Sequence, residues 1–396
     1  MIAARVALYW FAHHSPALLG RFVRHGVLPS LRALRTWRTT TAEQRSPPFL
    51  FISVTNHCPL RCLGCWVTPT DPPRAIPPEV LDRLIHAWKC HGARWIGILG
   101  GEPLRYEPLD WVLARHPDAY FQVFTNGWDL SDERARRFRA LGNVSPLISF
   151  EGVAAAADQR RGAVRVADRT WSAVQAARRA RLITGIATSL CRTNWQDLLS
   201  DDLLSKFQRA GVAYVWYYIY RPVGPRPAPE LALTEPEIRA VRDRILEIRR
   251  RWPFLVVDSY WDEEGRALCA AASGLSCHIS PGGAIEPCPL IQLSDVDIGD
   301  GSQVLEALRR SRLLSETRRR LSSLQGSCVL LANPALLSDL AQLPGVHDTS
   351  GRGTFPAEVL RPDPMPDHKL DPPIPETTAF YRSLKRSLFF GLGSYG

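Results

Sequence analysis

Cysteine and long apolar runs are both scarce in this sequence. Nine cysteines in 396 residues are too few for a disulfide scaffold, and their clustering favours metal ligation in a reducing cytoplasm. The uncharged stretch near the amino terminus, residues 6–20, is shorter than the ~20 apolar residues that a membrane-spanning helix needs. No small-residue cleavage site follows it, so a secretory signal peptide is not expected. We therefore expect a cytoplasmic protein that does not span a membrane.

Acidic residues are scarce at the amino terminus, although the net charge of the whole chain is only +10. In residues 1–45 one acid, Glu43, stands against arginines at positions 5, 21, 24, 32, 35, 38 and 45. No basic motif interleaved with aromatics appears, so a nucleic-acid partner is not expected. We predict two helices separated at Pro29, with Ser30 capping the second. Their apolar side, formed by Leu19, Phe22, Val23, Leu31 and Leu34, either packs on the rest of the protein or lies on a membrane surface.

From residue 49 onward, strand and helix patterns alternate. Strands are predicted at 49–55, 95–99, 120–124, 146–150, 184–190, 214–220 and 254–258. Six β–α units in succession predict a parallel sheet, open or closed into a barrel, with its chemistry at the carboxyl ends of the strands. After residue 260 the pattern breaks. Residues 345–377 are rich in Pro and Asp and predict a strap, and residues 378–393 predict a short basic amphipathic helix.

Three cysteines follow the first strand in a C-x3-C-x2-C pattern, namely Cys58, Cys62 and Cys65. Three thiolates on one loop can hold three corners of a [4Fe–4S] cluster and leave one iron for a non-protein ligand. A zinc site that lacks a ligand and three incidental thiols are the alternatives.

This loop, together with Gly100-Gly101-Glu102-Pro103 after the second strand, resembles the radical S-adenosylmethionine (radical SAM) enzymes over roughly residues 48–345. The resemblance implies a partial (β/α)6 TIM-like barrel, a [4Fe–4S] cluster, SAM and a reductant such as flavodoxin or ferredoxin. It also implies that an electron delivered to the cluster breaks a carbon–sulfur bond of SAM. The resulting 5′-deoxyadenosyl radical removes a hydrogen atom from the substrate.

The resemblance further implies which residues meet SAM. The backbone of Gly100 and Gly101 and the side chain of Glu102 would meet its amino group, and Glu151 would accept from a ribose hydroxyl. In the family an aromatic residue often precedes the third cysteine and touches the adenine; here Gly64 stands in that place, and Trp66 is the residue that could supply the aromatic face. The remaining candidates at the strand ends are Pro103, Thr125, Asn126, Ser149, Ser189, Arg192 and Asn194.

A second group of cysteines, Cys269, Cys277, Cys288 and Cys328, lies beyond the predicted barrel. It resembles the SPASM or twitch-type extensions of radical SAM enzymes, which carry an auxiliary iron–sulfur cluster. Cys269, Gly283, Cys288 and Cys328 fit that pattern. Cys277 is extra and is either a fourth ligand or a buried thiol. Thiolates do not choose between iron and zinc. One auxiliary cluster, expected to be [4Fe–4S], is therefore predicted, and a structural zinc is the alternative.

Four segments are therefore predicted: basic amphipathic helices (1–47), the barrel (48–260), the auxiliary-cluster module (261–345), and the strap with a final amphipathic helix (346–396). The basic helices at both ends favour a hydrophobic or lipid-like substrate and attachment at the inner membrane face, which would bring the mouth of the barrel to the lipid. A peptide substrate is the alternative, and a non-catalytic iron–sulfur protein is a third hypothesis.

Overall fold

The structure is a computed structural model. It describes residues 2–41, 45–152, 154–258, 260–321, 328–355, 357–360 and 365–389. Residues 390–393 of the predicted final helix, and Glu43, lie outside the described residues.

A nine-stranded sheet forms the centre of the fold, in the order β7-β6-β5-β4-β3-β2-β1-β8-β9. All neighbours from β7 to β8 are parallel, and β9 is antiparallel to β8. Because β7 and β9 form the two edges, the sheet is an open barrel, and the predicted partial TIM-like fold is confirmed. The strands are β1 (Phe49–Ser53), β2 (Trp95–Leu99), β3 (Tyr120–Thr125), β4 (Val144–Ser149), β5 (Gly185–Leu190), β6 (Tyr214–Ile219), β7 (Leu255–Val257), β8 (Ser276–Ile279) and β9 (Ile285–Glu286), with β10 (Leu293–Ser294) and β11 (His347–Asp348) forming a separate pair.

Helices cover the outer face of the sheet and the ends of the chain. They are α1 (Ile2–His13), α2 (Pro16–Arg21), α3 (Leu28–Thr39), α4 (Pro78–Lys89), α5 (Leu109–Arg115), α6 (Asp132–Leu141), α7 (Ala154–Arg161), α8 (Val166–Arg179), α9 (Trp195–Leu198), α10 (Asp201–Arg209), α11 (Glu235–Arg251), α12 (Ala270–Ser273), α13 (Val304–Arg310), α14 (Arg312–Leu321), α15 (Val329–Ala332), α16 (Pro334–Ala341) and α17 (Ala379–Leu384). Local signals set their ends: Ser131 caps α6 by accepting from the N–H of Arg134, and Gly142 ends it at φ +74°.

Side chains fill the interior of the barrel below the carboxyl edge. Strands β1 and β2 are buried along their whole length, as expected for a parallel sheet covered on both faces. Gly97 and Gly185 leave room for the rings of Phe51 and Tyr214, which a Cβ at either glycine would overlap. The Tyr214 hydroxyl also accepts from the Gln122 amide at 2.9 Å.

The amino-terminal helices cover the opposite, amino-terminal end of the barrel. The Tyr9 hydroxyl donates to the carbonyl of Val212, and the Trp10 indole donates to that of Ala213, both just before β6. Phe22 packs against Trp95 and Tyr120, at the starts of β2 and β3. The helices therefore lie away from the strand ends that carry the cysteines, and the expectation that they bring the barrel mouth to a membrane is wrong.

Pro29 does not separate two helices. The chain breaks instead before Pro16, and residues Phe22–Val27 form a π-helix that runs directly into α3. At this junction the N–H of Leu28 bonds the carbonyl of Val23, so the wider π-turn lets a residue without an N–H follow at low cost. The Ser30 hydroxyl donates back to the carbonyl of Gly26 at 2.7 Å and does not cap α3.

The segment after residue 260 joins the barrel through its first strand. β8 pairs with β1 in parallel, with Leu50 opposite Cys277. The predicted second module is therefore continuous with the central sheet.

Candidate active site

The carboxyl ends of β1 to β6 enclose a cavity of about 210 Å³. It lies at the edge where the sequence predicts chemistry. Its lining includes all three cysteines of the first loop and residues that follow β2, β3, β4 and β5: Cys58, Leu60, Cys62, Gly64, Cys65, Trp66, Leu99, Gly100, Gly101, Phe124, Thr125, Asn126, Ser149, Glu151, Arg160, Arg161, Ala187, Thr188, Ser189 and Tyr218.

The cysteine loop presents three half-buried thiols to this cavity. Burial raises the pKa of Cys58 to about 12 and that of Cys65 to about 11, and the neighbouring thiols add to both shifts. Metal ligation requires thiolates, so these buried thiols would ionise only beside a cationic centre that stabilises them. The loop is held from outside by the end of α7, where the carbonyl of Arg160 accepts from the N–H of Leu63 at 2.9 Å.

Gly100 and Gly101 pack against the chain that leads into the cysteine loop. A Cβ on Gly100 would overlap the carbonyl of Thr55, and a Cβ on Gly101 would overlap that of His57. The N–H of Gly101 donates to the Thr55 carbonyl at 2.7 Å. The two glycines thus fix the ends of β1 and β2 side by side while their backbone lines the cavity.

Glu102 is fully buried and does not line the cavity. Its carboxylate accepts from the Thr125 hydroxyl at 2.7 Å and from the backbone N–H groups of Leu104 and Asn126 at 3.0 and 2.7 Å. Burial raises its pKa to about 7, against the lowering effect of these hydrogen bonds. The side chain therefore joins the ends of β2 and β3, in place of the expected contact with the SAM amino group.

Glu151 and Arg161 form a buried pair on the far wall of the cavity. One carboxylate oxygen, Oε1, accepts from Arg161 at 3.0 Å, and the other guanidinium nitrogen lies 3.9 Å from the Cys62 sulfur. Burial alone would lower the pKa of Arg161, but Glu151 and Cys62 hold it above its ordinary value. The second oxygen, Oε2, is buried and has no hydrogen-bond partner within the described chain, so it fits a hydroxyl donor of a bound ligand.

The other candidates fall into two groups. Ser149, Ser189, Thr125 and Asn126 line the cavity, and the Asn126 amide lies 4.0 Å from the Cys58 sulfur. The others do not line it. Pro103 is buried in a short 3₁₀ turn, Asn194 bonds the carbonyls of Glu151 and Ser189, and Arg192 is half exposed, 3.6 Å from Glu237.

Trp66 is the aromatic residue of the loop that lines the cavity. Its ring meets the edge of His278 in β8, with the centroids 5.4 Å apart. His278 is itself fixed between the Ser53 hydroxyl at 2.8 Å and the Glu286 carboxylate at 2.6 Å. Trp66 therefore has a defined place on the cavity wall, as the sequence led us to expect of an aromatic beside the third cysteine.

In the second group of cysteines, the thiols of Cys269, Cys288 and Cys328 interact electrostatically with one another. Burial and the Cys328 thiol raise the pKa of Cys269 to about 11, and burial and Cys269 raise that of Cys288. Cys277 stands apart in β8: burial raises its pKa to about 12, and the charge that acts on it belongs to Arg318. Over the described ranges, no three Cys, His, Asp or Glu side chains converge closely enough to ligate a single metal ion.

Sequence reasoning missed several residues of the cavity wall. Arg160 and Arg161 lie at the end of α7, a helix that the sequence patterns did not predict, and Thr188 lies in β5 and lines the cavity. The Arg-Arg-Gly run at 160–162 was the available sequence signal for the first two.

Comparison with known proteins relates the part of the chain that forms this site to a known family. The sequence model of the radical SAM superfamily matches residues 52–204. The chain is 24% identical to the sporulation killing factor maturation protein SkfB of Bacillus subtilis (strain 168) over 259 residues, 63% of this chain and 61% of SkfB. It is 25% identical to the PqqA peptide cyclase of Streptomyces rochei over 264 residues, 62% of this chain and 70% of the cyclase.

A solved structure shares the fold. SuiB of Streptococcus suis bound to S-adenosylmethionine superposes with a TM-score of 0.58 at 15% identity, covering 69% of this chain and 68% of SuiB. SuiB bound to its precursor peptide SuiA gives a TM-score of 0.52 at 16% identity, over 61% and 60% of the two chains.

The residues present fit the cofactors of this family, a [4Fe–4S] cluster and SAM. Three thiols open onto one cavity, two glycines expose their backbone to it, and Glu151 turns an unpartnered buried oxygen toward it. Residues 52–204 match the radical SAM superfamily model, so this part of the chain is a radical SAM domain.

Proposed function

We propose that the protein is a radical SAM enzyme that modifies a peptide. The observation that carries the catalytic part is the convergence of three cavity-lining thiols, the Gly100-Gly101 backbone and the Oε2 atom of Glu151 at one edge of the sheet. The peptide part rests on similarity: the relatives are named as a maturation protein and a peptide cyclase, and SuiB has been solved with a precursor peptide.

The proposed tasks of the residues follow from their positions. Cys58, Cys62 and Cys65 would hold the cluster, and Glu151, oriented by Arg161, would accept a hydrogen bond from a ribose hydroxyl. The cluster with SAM would supply a 5′-deoxyadenosyl radical that removes hydrogen from a substrate C–H bond, with electrons from a flavodoxin or ferredoxin. The surrounding walls would keep water from the reacting centre.

A second cluster would lie in the module formed by residues 261–345. We assign its thiolate ligands to Cys269, Cys288 and Cys328, because these three fit the auxiliary-cluster pattern of the sequence and their thiols lie near enough to one another to interact. The other proposed units are the amino-terminal cover (1–47), the barrel (48–260) and the strap with its terminal helix (346–396).

A lipid-like substrate has less support. The basic amino-terminal helices lie at the end of the barrel opposite the cavity. They therefore supply no reason for a lipid at the barrel mouth.

Cleavage of SAM tests the catalytic proposal. Anaerobically reconstituted protein given dithionite and SAM should release 5′-deoxyadenosine. If iron-replete protein releases none, the enzyme proposal fails and the hypothesis of a non-catalytic iron–sulfur protein is favoured. Glu151→Gln should weaken SAM binding about tenfold or more, since one charge-assisted hydrogen bond contributes ~1.5–3 kcal/mol. Arg192→Ala, at a candidate that lies off the cavity, is the matched control and should bind SAM normally.

Comparison of cells tests the peptide proposal. Mass spectrometry of peptides and lipids from cells with the wild-type gene and with Cys62→Ala should reveal a peptide whose mass changes only in the wild type. A changed lipid with unchanged peptides would reverse the assignment.

Binding to a membrane surface is a second candidate property, and the exposed apolar face of α1 favours it. Leu8 and Phe11 are 72% and 61% exposed, and the arginines of α2 and α3 lie nearby in the chain with no acid before Glu43. No helix in the described part of the chain combines the length and the apolar character needed to cross a bilayer. Such binding would therefore be at the surface, and flotation with anionic vesicles tests it.

A further inference from the structure

Arg221 is a buried cation beside the second group of cysteines. It lies two residues beyond the end of β6, and only 8% of it is exposed. Its Nε donates to the Cys328 sulfur at 3.2 Å. The guanidinium thus places a positive charge against one of the three thiols assigned as ligands.

Contacts with two further residues, Ile219 and Tyr260, fix the guanidinium in this orientation. Its Nη1 donates to the carbonyl of Ile219 and to the hydroxyl of Tyr260, each at 3.1 Å, and the ring of Tyr260 lies under the guanidinium carbon at 4.8 Å. The Tyr260 hydroxyl in turn accepts from the N–H of Ile219 at 3.0 Å. Arg221 is thus held by the carbonyl of Ile219 and by Tyr260, and its Nε points toward the sulfur of Cys328.

Ligation by iron makes a cysteine sulfur anionic, and a buried cation at hydrogen-bond distance then interacts strongly with it. Hydrogen bonds and charges at the sulfurs set the reduction potential of an iron–sulfur cluster. A positive charge favours the reduced state, because reduction adds negative charge to the cluster.

We propose that Arg221 is a positioning residue that orients Cys328 and raises the reduction potential of the auxiliary cluster. This inference rests on the proposed function, since it requires that Cys269, Cys288 and Cys328 hold a cluster.

The matched control is Arg318, a half-buried arginine. Its charge acts on the thiol of Cys277, the cysteine that stands apart from the other three. Arg221→Met and Arg318→Met therefore remove the same charge beside an assigned ligand and beside an excluded one.

The experiment is a redox titration followed by electron paramagnetic resonance. Full-length Cys58/Cys62/Cys65→Ala protein, reconstituted with iron and sulfide, isolates the signal of the auxiliary cluster. Arg221→Met should shift the midpoint potential to more negative values, Arg221→Lys should restore most of it, and Arg318→Met should leave it unchanged. An unchanged potential in Arg221→Met overturns the proposal, and a shift in Arg318→Met alone would make Cys277 the ligand.

Two readouts keep the outcomes separate. If Arg221→Met fails to fold, Tyr260→Phe removes a contact that holds the guanidinium and touches no assigned ligand; it should shift the potential in the same direction, and no shift overturns the inference. If the triple-cysteine background binds no iron at all, the auxiliary cluster itself is absent and that part of the proposed function fails. Iron binding with an insensitive potential rejects only the role of Arg221.

Discussion

At the scale of single residues, Gly64 explains how the cysteine loop closes. Its φ of +66° lies in the left-handed region, and its N–H donates to the carbonyl of Arg226 at 2.5 Å. A Cβ at this position would overlap the hydroxyl and the ring of Tyr220. A tyrosine just after β6 therefore fills the space that a side chain at position 64 would need.

Gly64→Ala should cost the protein the first cluster. The left-handed backbone alone disfavours a residue with a Cβ by about 1–2 kcal/mol, and the overlap with Tyr220 forces the loop to move. We expect the iron content after reconstitution to fall by about half, as measured by a colorimetric iron assay.

Gly92→Ala is the control for this change. Gly92 also has a positive φ, +93°, but a Cβ there meets no atom within 4 Å. The Gly92→Ala variant should therefore be destabilised by a similar amount through its left-handed backbone, but its iron content should stay unchanged. Equal iron in both variants would mean that the contact with Tyr220 does not shape the loop.

The sequence could predict residue types at the site better than their contacts. The spacing of Cys58, Cys62 and Cys65 is local, so it could be read from the chain. The role of Glu102 could not, because its burial and its three hydrogen bonds depend on how β2 and β3 meet in space. The same holds for Arg161, whose partners lie 10 and 99 residues away.

At the scale of elements, a buried ionic network ties the carboxyl-terminal segment to the barrel. Asp258, after β7, pairs with Arg242 at 2.9 Å, with Arg249 at 3.1 Å and with Lys385. Arg249 also pairs with Glu376 of the strap at 2.6 Å. Burial would raise the pKa of Asp258, but Arg249, Lys385 and Arg242 together hold it well below its usual range.

Asp258→Asn should strongly destabilise the protein. It leaves three cations around a neutral side chain inside the protein, and removal of one partner of a buried pair typically lowers the free energy of unfolding by about 3–5 kcal/mol. Urea unfolding followed by circular dichroism measures the loss.

Asp201→Asn is the matched control, because Asp201 also pairs with two arginines, Arg244 and Arg251, at the surface. Exposed pairs contribute about 0–1 kcal/mol, so its unfolding curve should stay close to that of the wild type. Similar losses in both variants would contradict a special role for the buried network.

The positions of the strands could be predicted from the sequence, whereas the boundaries of the amino-terminal helices could not. The apolar runs at 95–99 and 214–220 reflect burial on both faces, which is the same for any parallel sheet. Pro29 illustrates the opposite case: its expected helix break is absent, since the π-helix before it removes the need for its N–H. Such a turn depends on packing against Trp95 and Tyr120 and leaves no pattern in the sequence.

At the scale of the whole molecule, the two ends of the barrel have different characters. One end carries the cysteines and the cavity, and the other is covered by α1 to α3. An amphipathic pattern predicts a helix that buries one face, but the pattern is the same whether protein or lipid covers that face. Leu19 and Leu34, on the predicted apolar side, are buried in the protein, whereas Val23 on that side is 46% exposed. The most exposed apolar side chains of this segment, Leu8 and Phe11, belong to α1.

This arrangement makes a definite prediction about membranes. With exposed Leu8 and Phe11 beside a segment without acids, the protein should float with vesicles of phosphatidylcholine and phosphatidylglycerol, and less with phosphatidylcholine alone. Leu8→Ser/Phe11→Ser should abolish flotation, whereas Val164→Ser, at a side chain that is 76% exposed elsewhere, should not. Wild-type protein that stays at the bottom of the gradient would contradict a membrane role for α1. Because the cavity opens at the opposite end of the barrel, vesicle-bound protein should still cleave SAM at the rate of free protein.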